Sequence, residues 1–389
     1  MQKFSGVDYF DIESLLADDE RMVRDSVREF VDTEVMPIIE ENYEKGTFPF
    51  ELVKKMGELG VFGMTLPQKY GCAEMNNVAY GLVMQELERG DSGVRSFASV
   101  QSGLVMYPIF TFGSDKQKDY WLPKLASGEK IGCFGLTEPD YGSNPGGMIT
   151  HAEKVEGGYK LNGAKMWITN GTIADVAVVW AKLDDVVHGF LVEKNMEGFT
   201  APEMKGKHSL RASITSELIF QDVFVPDENI FPNTNGLRSP LMCLNQARYG
   251  IAWGVVGSMM ECYTTALNYA QSRIQFSKPI AAYQMTQEKL VYMLTEITKA
   301  QFVNLQMAKL KDKGKVKHTH ISLAKRNNCE KALDIARVAR EILGANGILN
   351  EYPIMRHSAN LESVKTYEGT HEMHTLILGA DITGFEAFE

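Results

Sequence analysis

The order of textures along this chain constrains its fold more than any other feature. Apolar residues recur at helical spacing up to about residue 130 and again after Pro240. Between them, from Ile131, the chain is rich in β-branched residues, Gly and turn pairs. One strand-rich block between two helix-rich blocks excludes a doubly wound nucleotide fold, in which strand and helix alternate and a Gly-rich loop follows the first strand. Neither GxGxxG nor GxxxxGK[ST] occurs in a suitable context. At ~100–200 residues per domain, 389 residues allow two or three units. The expected boundaries are 1–130 (helical), 131–238 (β) and 239–389 (helical bundle).

Val23, Val27, Phe30, Val31 and Val35 share a helix face, and Pro37 is expected to kink or end that helix. Further helices are read at Glu51–Leu59, Asn76–Arg89 and Asp115–Ala126. In the middle block, Asn162-Gly163 between Tyr159–Leu161 and Ala164–Thr169 predicts a type I′ hairpin. Val176–Ala181, Gly189–Glu193 and Glu217–Val225 read as strands. Leu244–Ser272, Tyr283–Lys311 and His320–Leu343 read as long helices. The Lys311–Lys317 run, a cation at every second position, reads as a solvated loop.

Charge narrows the function. Forty basic against fifty acidic residues leave a net charge of -10. A general nucleic-acid or anionic-membrane binder needs a basic surface and is excluded. One anionic ligand in a local basic pocket is not. No apolar run approaches the ~20 residues that cross a bilayer. Five scattered Cys without CxxC spacing argue against a disulfide framework or zinc knuckle and for a reducing interior. Met1–Glu20 carries six acids and one Lys, with no secretory or transit signature. A bacterial-type cytoplasmic location is therefore expected, or the mitochondrial matrix for a processed eukaryotic chain.

Five segments hold the chemistry: Cys133–Asn144, Lys165–Asn170, Arg273–Ser277 with Gln284 downstream, Ile342–Gly347 and Thr366–Thr370. Taken singly, each has an ordinary structural explanation. In this order, and together, they resemble the acyl-CoA dehydrogenase family over essentially the whole chain. Glu86–Arg89, Asp91–Ser96, Ser99–Ser102 and Cys243–Gly254 resemble most the branch of the family that acts on glutaryl-CoA.

The resemblance implies a mainly α fold with a central β-barrel-like domain and a C-terminal four-helix bundle. It implies non-covalent FAD, a homotetramer built through the C-terminal helices, electron-transfer flavoprotein as acceptor and a role in amino-acid catabolism. The implied reaction is α,β-dehydrogenation of an acyl-CoA, with decarboxylation to crotonyl-CoA and CO2 in the glutaryl branch. Alternatives are another short-chain or dicarboxylic acyl-CoA, or a non-catalytic acyl-CoA- or flavin-binding protein on the same scaffold.

By resemblance Glu368 is the base. Burial would raise its pKa and strengthen it, and its backbone N–H would help polarise the thioester carbonyl. Gly369 would let backbone approach the substrate. Arg95 would bind the substrate's terminal carboxylate, with Ser96, Ser99, Glu88 and Tyr367 around it. Asn245 and Arg248 fall where the family contacts CoA. Phe134, Leu136, Thr137, Gly142, Ser143, Trp167, Ile168, Thr169 and Thr370 match flavin contacts. Arg273, Phe276, Gln284, Leu343, Gly344 and Ala345 match residues that reach the FAD of a neighbouring subunit. Two departures from the family pattern stand out: Asn144 replaces an Asp of the flavin loop, and Ser277 replaces a Gly, which matters if that position needs positive φ. Metal ligation by His318 and His320, or by His371 and His374, lacks HExxH spacing, and no GxSxG nucleophile elbow is present.

Overall fold

The computed structural model describes residues 4–234 and 236–387. Met1, on which the expectation of an unprocessed chain rests, lies outside them. The helices of the first block are α1 (Asp18–Phe30), α2 (Met36–Lys45), α3 (Glu51–Glu58), α4 (Asn77–Gly90), α5 (Ser92–Ser99), α6 (Tyr107–Phe112) and α7 (Asp115–Ala126). Pro37 does not stop the first helix. The five residues Val31–Val35 adopt a π-turn, and Pro37 enters at the start of α2, where its missing N–H costs nothing.

The strands are β1 (Gly132–Gly135), β2 (His151–Val155), β3 (Gly158–Thr169), β4 (Val176–Leu183), β5 (Val186–Glu193), β6 (Phe199–Thr200) and β7 (Thr215–Pro226). They form one curled sheet in the order β1-β4-β2-β3-β7-β6, with β5 on β4. Asn162-Gly163 is not a turn. It lies inside the twelve-residue β3, where the ladder to β7 slips between Leu161 and Gly163. Asn162 spans the irregularity, accepting from Asp222 N–H at 2.8 Å and donating to its carboxylate at 3.1 Å. The real hairpin turn precedes it, at Gly157 (φ +74) between β2 and β3. A bulge and an I′ turn favour the same Asn-Gly pair, and the longer pairing partner decides between them.

The second helical block contains α8 (Arg238–Ser272), the short hairpin β8 (Ile274–Gln275) and β9 (Lys278–Pro279), α9 (Gln284–Asp312), α10 (His318–Leu343), α11 (Ile354–Thr366) and α12 (His371–Thr383). α8 packs on α9, α10 and, across the blocks, α4. α10 packs in turn on α11 and α12. Lys311 is not solvated. It lies half-buried in the last turn of α9, its ammonium donating to Asn77 and Gln246 at 2.6 and 2.8 Å, and desolvation lowers its pKa to about 8. No helix among the described residues is long and apolar enough to cross a membrane.

Candidate active site

The site forms where α4, α5, α8 and the α11–α12 loop meet. α4 ends because Asp91 turns extended (φ -165), and the Asp91 carboxylate then caps α5 by accepting Gly93 N–H at 2.6 Å. The break puts Glu88 and Arg95 on different helices that face one another. Arg95 Nε donates to Glu88 Oε2 at 2.7 Å, and Ser92 Oγ donates to Glu88 Oε1 at 2.9 Å. Arg95 Nη2 donates to the Tyr367 hydroxyl, and Ser96 Oγ lies 3.3 Å from that hydroxyl. Arg95 Nη1 has no hydrogen-bond partner among the described residues. Burial holds the Glu88 carboxyl above its ordinary value, and the guanidinium offsets that only in part. The fit needs α8 to carry Gly254, since a Cβ there would stand 2.1 Å from Glu88 Oε2. One turn earlier, Gly250 lies against the hydroxyls of Tyr80 and Ser99.

Glu368 sits in the turn between α11 and α12 with φ 54, followed by Gly369 at φ 97. A left-handed glutamate is strained, and such strain clusters at functional sites. Its Oε2 is closed off from solvent and has no hydrogen-bond partner. Burial raises the carboxyl to about 7, against the pull of Arg95, Arg248 and Lys325. Arg248 Nε donates to the Glu368 carbonyl at 2.7 Å, and Arg248 Nη1 lies 3.5 Å from Asn245 Oδ1. Thr370 caps α12 by accepting Met373 N–H at 3.2 Å.

A second group lines the edge of the sheet. β3 slips again between Lys165 and Ile168, and Trp167 (φ 64) is turned out of the ladder with 60 % of its surface exposed. Thr137 and Thr169 are half-buried, and neither hydroxyl has a partner among the described residues. Gly142, Ser143 and Asn144 are exposed. Phe134, Leu136 and Ile168 are buried in the core, so only their backbone can meet a ligand. An indole face beside free hydroxyls and a polar loop suits a planar heteroaromatic ring with a phosphate tail, as FAD has. The loop is braced from behind: Lys165 Nζ donates to Glu138 at 2.8 Å and to the Leu136 carbonyl at 3.1 Å. Glu138 also accepts the N–H groups of Ile149 and Thr150 at 2.7 and 3.0 Å.

The remaining residues lie apart from both groups. Arg273 follows the last turn of α8, twenty-five residues beyond Arg248, or roughly 37 Å at ~1.5 Å per residue. Asn346 Nδ2 donates to Tyr269 Oη at 3.0 Å, which brings Gly344 and Ala345 to the same end of the bundle. Phe276 is 92 % exposed; Arg273, Gln284, Gly344 and Ala345 are exposed and Leu343 is buried. Ser277 has φ 67, so the Gly-to-Ser departure falls where positive φ is required. The Asn144 side chain makes no hydrogen bond among the described residues.

Sequence reasoning missed three residues around Glu368 and its loop: Lys325, His374 and Tyr80. Lys325 left a readable trace, a lysine inside the buried stripe Ile321, Asn328, Cys329 and Ala332 of α10. His374 is fully buried on α12 beside Gly369, and burial lowers its pKa to about 3. Among the described residues no three His, Cys, Asp or Glu side chains gather as a metal site.

Comparison with known proteins bears on the whole chain. Residues 17–129, 133–223 and 234–383 match the N-terminal, middle and C-terminal domain models of acyl-CoA dehydrogenase. The chain is 37% identical over 369 residues to an acyl-CoA dehydrogenase of Bacillus subtilis (strain 168), covering 93% of this chain and 97% of that one. It is similar to the crystal structure of glutaryl-CoA dehydrogenase from Mycobacterium smegmatis, with 52% identity, TM-score 0.96 and 97% and 98% of the two chains covered. A structure of a glutaryl-CoA dehydrogenase from that organism in complex with FADH2 gives 51%, 0.97, 98% and 99%. With all three blocks matched in order, and a buried carboxylate where the two helical blocks meet, this chain belongs to the acyl-CoA dehydrogenase family.

Proposed function

We propose that this acyl-CoA dehydrogenase oxidises glutaryl-CoA at the Cα–Cβ bond and decarboxylates the product to crotonyl-CoA and CO2. The observation that carries the reading is Arg95: a buried guanidinium with Nη1 unpartnered, tied by Nη2 to Tyr367, the residue next to Glu368. Glu88 balances the charge through Nε and Tyr367 takes Nη2, which leaves Nη1 as the donor free to meet an acceptor that the substrate brings. A five-carbon dicarboxylic thioester brings one, and Arg takes carboxylates bidentately. A monocarboxylic chain would leave Nη1 without a partner.

Glu368 takes the α-proton. Its carboxyl near 7 is a better base than an exposed carboxylate and still ionises near neutral pH. Its N–H polarises the thioester carbonyl, and Arg248 and Asn245 hold the CoA side. FAD is the cofactor and, when bound, accepts the hydride from the β-carbon. Trp167, Thr137 and Thr169 hold its ring, and Gly142 and Ser143 its phosphate side. After oxidation, loss of the γ-carboxyl leaves a dienolate that the protonated Glu368 can reprotonate. Electrons leave to electron-transfer flavoprotein.

Arg273, Phe276, Gln284 and the Leu343–Ala345 turn serve the FAD of a second copy. What supports this is their distance from their own chain's base and the exposed apolar residues near them, Phe276, Met285 and Ile348. The assembly is a homotetramer through the C-terminal helices. The five free, buried cysteines fit a reducing cytoplasmic location. A panel of acyl-CoA thioesters with product identification tests the reading. Glutaryl-CoA is the best substrate and releases labelled CO2; accumulation of glutaconyl-CoA without CO2 would contradict the decarboxylation.

A further inference from the structure

A buried lysine holds the back of the turn that carries Glu368. Lys325, 1 % exposed on α10, donates from Nζ to the carbonyls of Lys365, Tyr367 and Gly369 at 3.1, 3.0 and 2.8 Å. Arg248 takes the intervening carbonyl, that of Glu368. Carbonyls two residues apart in an extended strand lie roughly 6.6 Å from one another, too far to share one nitrogen. The left-handed residues Glu368 and Gly369 curl them onto it. An ammonium has three hydrogens to donate and a neutral amine two. Three carbonyl partners therefore describe the charged form, although burial works against it.

We propose that Lys325 is the positioning residue for the catalytic base: it holds the turn in its strained left-handed form and so fixes where the Glu368 carboxyl and N–H face. This rests on Glu368 being the base. With its carbonyl drawn back by Arg248 and its neighbours' by Lys325, the peptide plane of Glu368 is held from behind. The strain that a left-handed glutamate carries is held by these four bonds rather than by packing alone. The side chain of Lys325 touches carbonyls, not the reacting atoms.

The lysine also belongs to the electrostatic surroundings of the base. Arg95 from α5, Arg248 from α8 and Lys325 from α10 all favour ionised Glu368. Tyr80 from α4 and Tyr367 face it uncharged, and His374 from α12 sits against the same turn as a neutral imidazole. Cys329, one turn along α10, is a neutral thiol. Glu88 is paired with Arg95. Removing Lys325 thus removes one of three cations and leaves no other group to replace it.

The test uses the flavin-loaded enzyme with glutaryl-CoA and butyryl-CoA, comparing Lys325→Met, Lys325→Gln and Glu368→Gln. Lys325→Met retains flavin but loses roughly 30-fold or more in kcat with KM changed less than about threefold, as expected for an interaction that aligns the reacting group. Its acid limb moves up by about half to one pH unit, because a neighbouring cation is gone. Lys325→Gln, with two donors and no charge, recovers part of kcat and keeps the shifted acid limb. Should Lys325→Met not fold, Lys325→Gln carries the test alone. A lysine variant whose kcat and acid limb match the parent, with only thermal stability lowered, overturns the proposal. An active Glu368→Gln enzyme overturns the assignment of the base itself, and with it the role of the lysine.

Discussion

Glu88 and Arg95 form an ion pair at 2.7 Å between two helices, and neither side chain exceeds 1 % exposure. Such a pair seldom adds stability over apolar residues of the same volume. Its presence beside an unpartnered Nη1 marks the wall as a place where a charged group is handled. It also sets how the wall is tested. Removing Arg95 alone leaves a buried carboxylate uncompensated, at a cost of about 3–5 kcal/mol. The informative variant therefore changes both residues.

The first prediction concerns pH. With the Glu368 carboxyl raised to about 7, kcat/KM rises with pH and levels off above 7, since the base works only when ionised. Glu368→Gln loses activity by on the order of 10²–10⁴-fold or more while thioester binding persists. A flat profile between pH 5 and 8 by steady-state kinetics would contradict the raised carboxyl.

The same shift predicts a change in stability. A carboxyl raised in the folded state holds its proton there longer than in the unfolded chain. Its ionisation therefore destabilises the fold progressively as pH climbs from about 4.5 to about 7. The full effect is present above 7 and amounts to roughly 3 kcal/mol at most. Glu368→Gln should melt higher than the parent at pH 8, with the difference fading toward pH 4. Calorimetry showing equal melting at pH 8 would count against it.

Lys165 and Glu138 make a third test. Both are buried, and their pair closes the loop behind the exposed Trp167 edge. Burial lowers the Lys165 amine to about 8, and Glu138 raises it only in part. Lys165→Met should release FAD on gel filtration, seen as a lower flavin-to-protein absorbance ratio. Undiminished flavin would mean the loop holds without its brace.

Ser277 occupies a left-handed position with φ 67 and is exposed. Ser277→Gly should stabilise the chain by about 1 kcal/mol, the cost of a Cβ in that conformation. Thermal unfolding reads it directly, and an unchanged midpoint would show that the hairpin relaxes in solution.

Much of this was legible in the sequence because it is written locally. The two helical periods and the strand-rich block between them are local patterns, and so are the Tyr367-Glu368-Gly369 turn and the Asp91–Ser96 segment. What was not legible depends on partners far along the chain. Asn162-Gly163 has the composition of a turn, and only β7, some sixty residues on, makes it a bulge. Lys311 belongs to a run that looks solvated, and its bonds to Asn77 and Gln246 hold it half-buried. Pro37 reads as a break, and the π-turn before it absorbs the missing N–H. Lys325 meets its carbonyls forty to forty-four residues away. The departure at Ser277 shows the reverse case: the sequence posed the question of φ, and only the backbone answers it.

The central claim is that Arg95 selects a dicarboxylic substrate. The direct measurement is kcat/KM for glutaryl-CoA and butyryl-CoA in the parent and in Glu88→Gln/Arg95→Met. Loss of a charge-assisted carboxylate contact should lower glutaryl-CoA turnover by about a hundredfold or more, and butyryl-CoA turnover by less than about fivefold. Equal losses on the two substrates would contradict the account.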